Sequence, residues 1–133
     1  MDALEAARRW AETYRRAWLA GDAEAVGDLY TEGAVHRSQP FRDPHQGREG
    51  ILAYTGDAFA EESADREVWF AEPVAGGGRA AVEYWATFEE NGEPVTLAGC
   101  VFLRFAEDGR AVETRDYWNM EPGRRPPNEG WGR

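Results

Sequence analysis

Val112-Glu113-Thr114-Arg115-Asp116-Tyr117-Trp118-Asn119-Met120, entered through the turn Glu107-Asp108-Gly109, alternates along its whole length. A period of two puts Val112, Thr114, Asp116, Trp118 and Met120 on one face of a β-strand. Asp116 then sits among large apolar neighbours. A carboxylate in such a place is costly to bury unless it is paired or put to use. If that face lines a pocket, Asp116 is a candidate acid or base; if it faces water, it carries no function.

The same period runs back through the preceding chain. Glu93 to Phe105 and Arg79 to Glu89 read as strands joined at Asn91-Gly92, a dipeptide suited to a tight hairpin turn. Glu67 to Glu72 reads as another strand, set off by Gly76-Gly77-Gly78. Before residue 62 the period changes. Leu4, Ala7, Ala11, Tyr14 and Trp18 recur at three and four, which predicts an amphipathic helix over 2–20 with Trp10 and Ala17 beside the stripe. Gly21 suits its C-terminal end and Asp22 caps a short second helix over 23–30. A short strand is expected over 34–38, then a proline-interrupted loop over 39–47, then a third helix over 48–62. Helices followed by hairpin-linked strands imply an α+β fold, with the N-terminal helices packed in the concave face of a curved, mainly antiparallel sheet. Residues 1–120 form a single domain in this reading, and 121–133 an irregular tail rich in Pro and Gly whose Trp131 can dock on the body.

Composition narrows the function. Aromatic residues make up 13% of the chain, more than a minimal core of this size needs, so some are expected to line a cavity or an interface. Asp and Glu number 25 against 15 basic residues, for a net charge of −10. All the basic residues are Arg. No basic run exists to displace phosphate counterions, so nucleic acid is not an expected partner. Without Lys there is no ε-amine for Schiff-base chemistry. Cys100 is the single cysteine, which precludes an intrachain disulfide and a thiolate metal cluster. His36 and His45 lack metal-ligand spacing with the acidic residues, and neither a metal nor another cofactor is expected. With no signal-like N-terminus and no long apolar run, the expectation is a cytoplasmic protein without membrane association.

Several segments together resemble the SnoaL-like branch of the nuclear transport factor two superfamily, the cystatin-like cone fold. They are Trp18-Leu19-Ala20-Gly21-Asp22, Leu29-Tyr30-Thr31-Glu32-Gly33-Ala34-Val35, the step from Pro44 to Gly47 into Ile51 and Tyr54, and Gly109-Arg110-Ala111-Val112 leading to Arg115-Asp116-Tyr117-Trp118. The likeness spans about residues 5–120. It implies a cone-shaped apolar cavity, a small apolar or aromatic ligand and no cofactor. Against the superfamily's steroid isomerases, Tyr14 matches the oxyanion-hole tyrosine, but the base position falls on Ser38 and the second acid near Val101. Against limonene-epoxide-hydrolase-like proteins, Asp116 matches one aspartate of an Asp–Arg–Asp set, whose other members fall on Val82 and Tyr84. His36 and Ser38 replace the assisting Tyr and Asn. SnoaL-like cyclases ask for less, an aspartate in a shaped apolar cavity, and Asp116 matches it.

The resemblance therefore implies a lyase, isomerase or cyclase with Asp116 as general acid or base, His36 and Tyr14 as polar helpers, and Trp10, Ser38, Tyr54, Tyr84, Val101 and Trp118 lining the substrate site. The alternative is a non-catalytic ligand-binding or adaptor module of the same fold. A cavity with Asp116 facing it favours the enzyme, and a filled cone with Asp116 ion-paired favours the module. By strand parity Trp85, Phe102 and Tyr117 point outward, and such an apolar patch predicts a homodimer through the sheets.

Overall fold

The structure is a computed structural model that describes residues 1–133. Helix α1 (Ala3–Ala20) starts where the Asp2 carboxylate accepts from the amides of Leu4 and Glu5, and stops at Gly21, whose φ of 67° closes the last turn. Its buried stripe is Ala6, Ala7, Trp10, Ala11, Ala17 and Trp18. Asp22 caps the single turn α2 (Ala23–Gly27). Strand β1 (Tyr30–Arg37), the two-residue β2 (His45–Gln46) and helix α3 (Gly47–Ala60) follow. The remaining strands are β3 (Glu67–Phe70), β4 (Val74–Gly76), β5 (Arg79–Glu90), β6 (Glu93–Phe105) and β7 (Ala111–Pro122).

The sheet runs β2-β1-β7-β6-β5-β3, with β4 also paired to β5. Every pairing is antiparallel except β1 with β7. At the β5–β6 hairpin Asn91 and Gly92 both take positive φ, 51° and 85°, as a two-residue turn matching the strand twist requires. The helices lie in the concavity of the open sheet. Trp10, Trp18, Val26, Ile51 and Phe59 from the helical layer form one core with Val82, Ala86, Phe88, Val101 and Leu103 from the strands. No helix is long and apolar enough to cross a membrane.

Several boundaries differ from those the period predicts. β1 begins at Tyr30 rather than residue 34, because pairing with β7 is by backbone bonds and tolerates a register shift between Tyr30 and Val35. His45–Gln46, expected in a loop, pairs with Val35 and His36, and Val74–Gly76 forms an edge strand too short to show a period. β7 runs to Pro122, two residues into the expected tail, since Thr96 and Val95 continue the ladder opposite Glu121 and Pro122.

The outer sheet face also needs a correction. Trp85 does point away from the helices, yet it is only 6% exposed. The tail covers it: Trp131 packs edge-on against the indole, whose N–H donates to the Arg125 carbonyl at 2.9 Å. Thr96 donates to the Gly123 carbonyl and accepts from the Arg125 amide, and Arg124 reaches Asp65. The guanidinium groups of Arg79 and Arg115 lie over the Phe102 ring, which leaves Tyr117, 50% exposed, as the open part of the expected patch.

Candidate functional site

Register on the concave face assembles the site. Tyr84 on β5, Gly99 on β6 and Trp118 on β7 lie in one row across the sheet. One step along, Val101 pairs with Asp116, and one further, Leu103 pairs with Thr114, which pairs in turn with His36 on β1. Because side chains two apart share a face, Asp116, Thr114 and Trp118 all point toward the helices. The period of β7 required only that the three share a face; the fold turns that face inward.

Two adjoining chambers occupy the concavity. An inner one of about 100 Å³ is walled mainly by Trp10, Tyr14, Trp18, Phe59, Phe70 and Val101, with Tyr30 and His36 beside them. An outer one of about 280 Å³ opens past Phe88, Trp118 and Met120. Tyr54, Ala58, Glu62, Tyr84, Leu97 and Asp116 line both chambers.

Asp116 accepts a 2.7 Å hydrogen bond from the Tyr84 hydroxyl and takes part in no ion pair. Burial among apolar walls pushes its carboxyl up to about 7, against the lowering effect of the Tyr84 hydroxyl and the Tyr117 amide. Burial and the nearby carboxylate push the Tyr84 phenol far above its usual value, so Tyr84 stays a donor. A carboxyl group that changes charge near neutral pH is suited to both taking and giving a proton.

His36 is 9% exposed, and burial, with a smaller contribution from His45, lowers its imidazole to about 4. At neutral pH the ring is uncharged. Its Nδ1 lies 2.7 Å from the Thr114 hydroxyl, which lies 2.8 Å from the Tyr30 hydroxyl. The arrangement that pairs both hydroxyl protons runs from Tyr30 to Thr114 to Nδ1, and it puts the ring proton on Nε2. His36 is thus a neutral donor rather than a cation. Tyr14 packs against Trp10, Trp18 and Phe70, and its hydroxyl forms no hydrogen bond within the chain. Its phenol is also held well above the usual value by burial and by neighbouring Tyr30 and Asp116.

Most expected lining residues meet at this cavity: Trp10, Tyr14, His36, Tyr54, Tyr84, Val101, Asp116 and Trp118. Ser38 does not line it. It is buried just outside, and its carbonyl accepts from the Trp118 indole at 2.8 Å, which fixes the Trp118 ring at the mouth.

Glu62 is the residue the periodicity missed. The third helix was expected to reach residue 62, but α3 ends at Ala60, and Glu62 lies two residues past it, turned into the wall. Its side chain is 7% exposed and accepts from the Trp18 indole at 2.7 Å and from Arg66 at 2.9 Å. Burial raises its carboxyl, while Trp18 and Arg66 oppose the rise. Thr114 was legible only as a strand residue, and Tyr30 only as the last residue of the expected second helix, where the structure starts β1 instead. No group of three or more His, Cys, Asp or Glu side chains converges in a way that would hold a metal ion.

Comparison with known proteins follows the geometry. The profile described as the SnoaL-like domain matches residues 10–114. Among curated proteins the chain has no match. Among solved structures it is similar to SalBIII, an epoxide hydrolase/cyclase-like enzyme described for pyran ring formation in the polyether salinomycin. The TM-score is 0.75 at 18% identity, covering 86% of this chain and 94% of that one. A hypothetical protein from Catenulispora acidiphila with a ketosteroid isomerase-like fold, in complex with trimethylamine, superposes with a TM-score of 0.72 at 17% identity, covering 81% and 83%. Bal32a, from a soil-derived mobile gene cassette, gives 0.73 at 21% identity over 88% and 92%. At such identities the likeness is one of fold.

Proposed function

The chain belongs to the SnoaL-like domain family, and from that premise we propose that it is a cofactor-independent proton-transfer enzyme acting on a small molecule, as a lyase, isomerase or cyclase. Asp116 is its general acid/base. The observation that carries this reading is the Asp116 carboxyl, held up to about 7 on the wall of a largely aromatic cavity without a cationic partner and with Tyr84 as its one side-chain donor. In the base form Asp116 takes a proton from a carbon activated by a neighbouring carbonyl or similar group. The resulting acid returns that proton to another atom of the same molecule, or to the leaving oxygen, so no co-reactant is needed. Tyr14 and the neutral His36 supply hydrogen bonds to an oxygen that gains charge meanwhile. The unfilled cone and the absence of a cationic partner for Asp116 favour this over the adaptor reading.

A generic carbon acid tests it without knowledge of the substrate. 5-Nitrobenzisoxazole, a small neutral aromatic, opens when a base removes its ring C–H proton. The protein should accelerate this opening with a rate that rises through pH about 7 and levels off above it, and Asp116→Asn should lower the rate by about 10²-fold or more. Equal rates in the two proteins, with folding intact by circular dichroism, would overturn the assignment.

A further inference from the structure

The outer chamber carries a charge pattern that proton transfer does not use. Asp57, Glu61, Glu62, Glu90 and Asp116 all line it, and no Arg or His does. Of these five carboxyl groups only Glu62 has an ion-pair partner, Arg66, whereas Arg side chains pair with eight of the other twenty Asp and Glu residues. Glu62 and Glu90 are bridged through their backbones, and their like charges repel across that bridge. Leaving repulsive carboxylates together around a concave site costs stability that a rim of neutral side chains would not.

The remaining walls say what would relieve that cost. Tyr54, Tyr84, Phe88 and Trp118 present aromatic surface to the same chamber, and the π face of an aromatic ring attracts a positive charge. A metal ion is a poor fit, since the carboxylates are spread around the rim and do not converge. Deeper in, the inner chamber is walled mainly by aromatic and aliphatic side chains, and the Tyr14 hydroxyl on its wall forms no hydrogen bond within the chain.

Resting on the reading of this cavity as the reaction site, we propose that its ligand class is the small organic cation: an ammonium or quaternary ammonium head in the acidic, aromatic outer chamber, with an apolar body in the inner one. Rim carboxylates attract the head by charge, Tyr54 and Trp118 hold it by their ring faces, and the inner aromatic walls exclude water from the body. The net charge of −10 adds long-range attraction for a cation and repels anionic substrates.

Three probes that share a benzyl group and differ in charge decide it. Benzyltrimethylammonium, its neutral carbon isostere neopentylbenzene, and the anion phenylacetate are titrated while indole fluorescence is read. The cation should bind at least about tenfold more tightly than either of the others, a preference that shrinks as salt is raised. The triple change Asp57→Asn, Glu61→Gln, Glu90→Gln, confined to the rim, should erase most of that preference while circular dichroism stays native. A neutral probe that binds as well as the cation, or a triple variant that keeps the full preference, overturns the proposal. The benzisoxazole assay separates this from the reading beneath it, because its substrate is uncharged. Asp116-dependent ring opening without cation preference removes the ligand class alone, and cation preference without ring opening removes the proton-transfer role alone.

Discussion

Asp116 and His36 titrate in opposite senses, and their pH signatures partly cancel. The folded carboxyl of Asp116 lies at about 7 against an ordinary 3.8, so the folded state holds a proton that the unfolded chain has released. The stability cost is absent below about pH 4, grows as pH rises, and is fully present above 7. His36 lies at about 4 against 6.5, so folding expels its proton, and the cost grows as pH falls from 6.5 toward 4. Between those limits one group takes up a proton on folding while the other gives one up. Asp116→Asn should therefore unmask a stability that rises from pH 4 to 6.5. At pH 8 it should exceed the native chain by roughly 4 kcal/mol, measured by urea unfolding at several pH values. A difference independent of pH would refute the assignment of burial as the cause. Tyr84→Phe removes the one side-chain donor to the carboxylate, and the midpoint of Asp116, followed by NMR, should move above its native position.

Strand register, at the next scale, brings these groups together. Gly99 faces the cavity between Tyr84 and Trp118, and a Cβ placed there would meet the Tyr84 hydroxyl at 2.7 Å, the Tyr117 carbonyl oxygen at 2.7 Å and the Trp118 Cβ at 2.9 Å. Only glycine lets the Tyr84 ring cross β6 and reach Asp116. Gly99→Ala should cost about 1–3 kcal/mol in unfolding free energy and shift the pH midpoint of ring opening upward, as Tyr84→Phe does. A variant with native stability and an unmoved midpoint would show that the row is not tightly packed. The strands β5, β6 and β7 were legible because each is long enough to repeat its alternation several times, and Asn91-Gly92 marked the turn. β2 and β4 were not, since two or three residues carry no period, and the start of β1 rests on backbone pairing with β7, to which side-chain pattern is blind.

For the molecule as a whole, the tail covers part of the outer sheet face. Trp131, the Arg125 carbonyl and the Arg124 ion pair with Asp65 occupy the outer face around Trp85. Removing residues 123–133 should uncover Trp85 and raise self-association relative to the full chain, read by sedimentation at matched micromolar concentrations. Unchanged sedimentation would mean that the outer face is not adhesive even when bare. Alternation by itself determined that Asp116 shares a face with Thr114 and Trp118, and the segment order determined the α+β arrangement, because both follow from short-range geometry and burial; that this face is the concave one was decided by the fold. Which groups surround Asp116 was decided only in three dimensions. Tyr84 is 32 residues away and reaches it across a glycine, Glu62 enters the wall from beyond a helix end, and four rim carboxylates lack cationic partners. No local pattern encodes those meetings, since they depend on how far apart the curvature of the sheet holds its rows from the helices. The aspartate was visible in the sequence; the desolvation that makes it an acid near neutrality belongs to the closed cavity.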